Sequence, residues 1–188
     1  MSRLLRKPAR NWKPVDTSAF VGVPTGASLI YTDRSGGKLF QGGNDSIPKA
    51  KRLGIDTVVL AAYEHQPSLD PDLDVIRVHM DDDYPSTQFL PTFTRVVSEV
   101  AGLVSDRVRT GRRVLVTCWQ GRNRSGIVTA IALRKLTDMS GSAAIHTLRR
   151  RRGPGVLTNS AFAEIVKTWP KTPDPSSWAG VDFSPFGW

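Results

Sequence analysis

Apolar and polar positions recur along this chain with two periods, and the places where the period changes outline the fold. Between residues 74 and 80 the run Asp-Val-Ile-Arg-Val-His-Met alternates as a half-buried strand does, with His79 opposite to Val78 and Met80. The stretches 55–63 and 113–117 are instead nearly unbroken runs of β-branched and apolar residues, and read as buried central strands. Shorter strands are expected at 27–32 and 38–41, with Gly42-Gly43 as a turn. From 91 to 109 the spacing becomes helical, and Phe93, Val96, Val97, Val100 and either Leu103 or Val104 share one face. Further helices are expected at 125–136, 142–151 and 159–168. A shorter one begins at Asp45-Ser46-Ile47-Pro48, with Asp45 or Ser46 as its cap and Pro48 in its first turn, and ends near Gly54. Strands alternating with helices predict an α/β fold, a mixed, largely parallel central sheet flanked on both faces by helices. Sheets of that kind gather ligands at the carboxyl ends of their strands.

One of those ends carries unusual chemistry. The strand 113–117 runs into Cys118-Trp119-Gln120-Gly121-Arg122-Asn123-Arg124-Ser125-Gly126, which holds the only cysteine of the chain. A cysteine with an arginine six positions on is weak by itself, because 18 of 188 residues are arginine and chance gives that pair roughly one time in ten. The setting is more telling. A loop this short between a strand and a helix can curl its N–H groups around one tetrahedral anion. Gly121 is free to take the positive φ such a curl needs. Ser125 stands where the next helix begins, so the positive end of that helix dipole faces the sulfur and favours the thiolate, the reactive form. A lone cysteine ending a strand is otherwise a small buried hydrophobe; here the neighbours make it a nucleophile.

The stretch from Cys118 to Gly126 resembles the active-site loop of the cysteine-dependent protein tyrosine phosphatase superfamily, most closely its dual-specificity branch. That loop runs cysteine, five residues, arginine, then serine or threonine. The resemblance extends over about residues 25–168. It includes an aspartate about ten residues before a helix-opening phenylalanine, matched by Asp83 and Phe93, and an arginine cluster with a turn before a final helix, matched by Arg149 to Phe162. The family usually places histidine before the cysteine, and this chain has Thr117. The resemblance implies a metal-independent phosphatase working through a phosphocysteine. In that scheme Cys118 attacks phosphorus, Arg124 grips two oxygens through its planar fork, and Ser125 eases departure of the sulfur. The backbone of Trp119, Gln120, Gly121, Arg122 and Asn123 would bind the substrate phosphate. A carboxylic acid must protonate the leaving oxygen, and the loop Asp81-Asp82-Asp83 follows a strand that could deliver one. The family spacing selects Asp83. Neither a cofactor nor a metal is expected, as no His/Cys cluster has ligand spacing.

Composition narrows the setting. At 188 residues, 39% of them hydrophobic, the chain suffices for one domain with a core. The reading is a basic arm at 1–20, a catalytic domain at 21–169 and a Pro- and aromatic-rich tail at 170–188, either loose or strapped onto the domain. A single cysteine suits a reducing compartment, no run of 18 apolar residues spans a membrane, and Leu4-Leu5 is too short for a signal-peptide core, so the expected location is cytoplasmic. The net charge of +9 implies an acidic, phosphate-bearing partner: a phosphoprotein first, an RNA end or phosphoinositide next. Arg149 to Arg152 is either a solvated helix end or a phosphate-binding patch. The Asn123-Arg124 pair leans toward the RNA 5′-triphosphatase relatives, whereas only Arg122 adds charge within the loop, fewer than phosphoinositide phosphatases carry. A rhodanese-like sulfurtransferase and a weakly active phosphate-binding module are the alternatives of another class.

Overall fold

A computed structural model describes residues 22–83 and 90–170 of the chain. The basic arm at 1–20, the tail from 171 onward, and residues 84–89 after the acidic triplet lie outside the described residues. Five strands form one sheet, β1 (Ala27–Thr32), β2 (Lys38–Gly42), β3 (Thr57–Leu60), β4 (Asp74–Arg77) and β5 (Arg113–Thr117), in the order β1-β2-β5-β3-β4. Only the edge pair β1–β2 is antiparallel; β2–β5, β5–β3 and β3–β4 are parallel, as the expected mixed sheet requires. Strand β5 lies at the centre, and Val114, Leu115, Val116 and Thr117 are all buried. A strand covered on both faces has no polar side to show, which is why it reads as an apolar run.

Alternation along the strands feeds two cores. Leu39, Val59, Ile76, Val114 and Val116 enter the larger one, while Phe40, Val58, Leu60 and Leu115 enter the smaller. Four helices close the larger core: α1 (Leu90–Arg109), α2 (Arg124–Thr137), α3 (Gly141–Arg152) and α4 (Ser160–Thr168). The smaller core is covered by two 3₁₀ segments, Asn44–Lys49 and Lys51–Leu53. Both faces are therefore flanked by helices, but unequally.

Two expectations change in detail, and one open choice is decided. The segment at 45–54 is 3₁₀ rather than α, and neither Asp45 nor Ser46 caps it. The Asp45 carboxylate accepts instead from the Gly26 N–H, and the Ser46 hydroxyl donates to the Gly43 carbonyl. Tertiary partners have claimed both side chains, and Gly54 ends the segment with φ 64°. The strands at 55–63 and 74–80 are shorter than their patterns, yet the alternation persists: Ile76, Val78 and Met80 are buried, while Arg77 and His79 are exposed. On α1 the inner position belongs to Val104, fully buried, and Leu103 is 40% exposed.

Candidate active site

The loop after β5 is built by turning its carbonyls outward. The Trp119 carbonyl accepts from Asn44 N–H at 3.1 Å, that of Arg122 from Leu157 N–H at 3.3 Å, and that of Asn123 from Ile127 N–H at 2.8 Å. The Gly121 carbonyl accepts twice, from Arg152 Nε at 2.9 Å and from Gln41 Nε2 at 3.1 Å. In a trans peptide the following N–H points opposite to the carbonyl. The amides of Gln120, Arg122, Asn123 and Arg124 are thereby aimed at the inner side, which makes an anion-binding nest. Gly121 takes φ +70° and lies so near β2 that a Cβ there would sit 2.5 Å from the Gly42 carbonyl carbon. Arg152, 1% exposed, anchors the loop from beneath and also donates to the Gly26 carbonyl at 2.8 Å. Burial pushes its pKa down to about 10, against the pull of Cys118 and Asp45, so it remains a cation at neutral pH.

Cys118 is 3% exposed, and its Sγ lies 3.3 Å from the Ser125 hydroxyl at the start of α2. Thr117, where the family usually has histidine, is buried and donates its hydroxyl to the Val59 carbonyl of β3 at 3.0 Å. Arg124, 5% exposed, is held by a residue that sequence reasoning missed. Glu64, just beyond β3, accepts from Nη1 and Nη2 at 2.5 Å each, and Nη1 also donates to the Met80 carbonyl at 3.2 Å. The guanidinium is fixed along one edge, while Nε is buried and without a partner. Nε and the second Nη2 hydrogen form the fork that remains for two oxygens of an oxyanion. Burial disfavours the Arg124 charge, but Glu64, Cys118 and Asp82 outweigh it and raise its pKa. Partial burial likewise works against ionised Glu64, and its hydrogen bonds to Arg124 and local backbone win, lowering its pKa. The local signal was its position at the carboxyl end of a parallel strand.

The acidic loop reaches this centre through Asp82. Its backbone carbonyl accepts from Asn159 Nδ2 at 2.9 Å, and its carboxylate is hydrogen-bonded by the Asn123 side chain. Asp81, Asp82 and Asp83 are all largely exposed as residues, yet the Asp82 carboxyl lies against the loop, where lost hydration raises its pKa despite the opposing pull of Arg124. Asp83 immediately precedes the residues outside the described set.

A family model for the dual specificity phosphatase catalytic domain matches residues 39–172. This chain belongs to the dual specificity phosphatase family. It is a cysteine-based phosphatase, a hydrolase. Among curated proteins none matched the chain. Solved structures share the fold. Human DUSP28 superposes with a TM-score of 0.59 and 23% identity over 77% of this chain and 95% of that one. The Cydia pomonella PTP-2 phosphatase gives 0.61 and 18% over 77% and 89%. The Orf virus OH1 tyrosine phosphatase, described as having triple substrate specificity, gives 0.60 and 16% over 78% and 87%.

The rim of this dual specificity phosphatase is less open than its charge suggests. Arg122 turns away from the nest, donating to the Gly155 carbonyl at 3.0 Å, Thr158 Oγ1 at 2.9 Å and Gln120 Oε1 at 3.4 Å. Arg149 donates to the carbonyls of Val156 and Leu157, and Arg152 serves the loop, so only Arg150 and Arg151 of the four-arginine run stand free in solvent. Trp119 is half-buried and meets the His65 ring edge-on at 5.3 Å. Among the described residues no group of three or more His, Cys, Asp or Glu is placed to hold a metal, and no helix is long and apolar enough to cross a membrane.

Proposed function

We propose that this phosphatase hydrolyses phosphate monoesters on protein tyrosine, serine and threonine through a phosphocysteine on Cys118. The Cys118 thiolate attacks phosphorus; the S–P bond forms as the ester P–O bond breaks, and the leaving oxygen takes a proton from an aspartic acid. Water then attacks the phosphocysteine, passing a proton to the same carboxylate, and the sulfur leaves as thiolate. Arg124 and the amides of the nest hold the equatorial oxygens through both steps. The observation that carries this reading is the meeting of three groups: a buried sulfur, a serine hydroxyl 3.3 Å from it, and a guanidinium fixed by Glu64 with donors to spare.

For the acid, the family spacing supports Asp83. The contact of the Asp82 carboxylate with Asn123 and its raised pKa favour Asp82 as a second reading. The central test is turnover of para-nitrophenyl phosphate and a phosphotyrosine peptide. Activity should survive EDTA, be inhibited by vanadate and be lost in Cys118→Ser; a metal requirement or an active Cys118→Ser protein overturns the proposal. A panel of phosphopeptides, phosphoinositides and 5′-triphosphorylated RNA separates the substrate classes. Basic charge and the Asn123-Arg124 pair keep RNA ends second, and a reducing, cytoplasmic setting suits an unpaired thiol. Thiosulfate turnover without phosphatase activity would mark a sulfurtransferase; tight phosphopeptide binding without turnover would mark a binding module.

A further inference from the structure

Gln41 is a buried polar residue that the mechanism above does not use. It lies on β2 beside Val116, and it is fully inaccessible to solvent. Nothing in the packing of a strand calls for an amide there: its Oε1 is buried without a partner, which by itself is unfavourable. Its Nε2, however, makes two contacts, with the Gly121 carbonyl at 3.1 Å and with Ser125 Oγ at 3.4 Å. A carbonyl only accepts, so the atom facing Gly121 must be the amide nitrogen, and the same nitrogen then donates its second hydrogen to Ser125. A hydroxyl that receives a hydrogen from one side is left with its own proton to give, and Sγ of Cys118 is 3.3 Å away. Thr117 cannot do this work, because its hydroxyl is committed to Val59.

We propose that Gln41 is a positioning residue, orienting the Ser125 hydroxyl as a donor to the Cys118 sulfur. This rests on the nucleophilic role of Cys118 and deepens it. The amide acts twice, since its hold on the Gly121 carbonyl also fixes the loop. Without it Ser125 accepts as readily as it donates, so the thiolate is less favoured and the phosphocysteine sulfur is a poorer leaving group.

The test uses Gln41→Met, of similar shape without the donor, and Gln41→Leu, which also removes the donor and adds no titratable group. The midpoint of the pH dependence of Cys118 alkylation by iodoacetamide should rise by about one pH unit in either variant. The kcat should fall about 10-fold with KM little changed, and an initial burst should show the intermediate building up. The discriminating measurement is a double-mutant cycle: in a Ser125→Ala background, Gln41→Met should shift the alkylation midpoint by much less than it does alone, only the hold on the Gly121 carbonyl remaining to be lost. An unshifted midpoint in a variant that still melts cooperatively, or a full additive shift in the Ser125→Ala background, overturns the proposal. If Cys118→Ser abolishes turnover while Gln41→Met leaves the midpoint unchanged, only the positioning role fails. An active Cys118→Ser protein removes the foundation as well.

Discussion

Each side chain at the candidate site is defined by what its neighbours deny it. Arg124 cannot swing, because Glu64 occupies both terminal nitrogens, and its remaining donors point where nothing else competes. Lost hydration raises the Asp82 pKa against the pull of Arg124, the direction a proton donor needs. If Asp82 is the donor, activity falls as pH rises through its raised pKa, since the ionised form has no proton to give. Asp82→Asn then removes that alkaline limb and slows tyrosyl phosphate turnover about 10²-fold or more, with a smaller loss for para-nitrophenyl phosphate, a better leaving group. The same pattern in Asp83→Asn assigns the role to Asp83. Cys118, Arg124 and Ser125 were legible because they sit within nine consecutive residues. Glu64, Gln41 and Asn159 were not, because their chemistry exists only once β2, β3 and α4 meet the loop, and no local pattern records that meeting.

At the scale of elements, backbone packing decides what a position tolerates. Gly121 joins the loop to β2 with a positive φ, and a methyl there would collide with the backbone of Gly42 and Gly43 as well as with the buried Arg152 guanidinium. Gly121→Ala should destabilise the fold by about 2 kcal/mol or more and abolish activity, as read by urea denaturation and turnover. Gly102, inside α1, is the contrast, because a methyl added there would meet nothing within 4 Å. Gly102→Ala should stabilise by about 0.5–1 kcal/mol in the same denaturation experiment, with activity unchanged. Strand β5 and helix α1 were readable since burial alone writes their patterns. The 3₁₀ segments were misread as one helix because Asp45 and Ser46 look like caps until Gly26 and Gly43 are seen to claim them.

The whole molecule joins stability to the site through His65. It is 4% exposed, against Trp119, and burial lowers its pKa below 6.5, with Arg124 adding to that and Glu64 opposing it. As pH falls below 6.5 the unfolded chain takes up a proton that the folded one resists, so stability drops until the lowered folded pKa is passed. His65→Phe should flatten the fall in melting temperature between neutral and mildly acidic pH. An equally steep decline in that variant would locate the effect elsewhere.

One side chain carries a consequence for the far end of the domain. The Asn159 side-chain oxygen accepts from Ala161 and Phe162 to start α4, its amide nitrogen holds the Asp82 carbonyl, and its own N–H is held by Asn123. A single residue therefore fastens three segments. Loosening the start of α4 would slacken the backbone at Asp82 and the catalytic-loop side chain of Asn123 together.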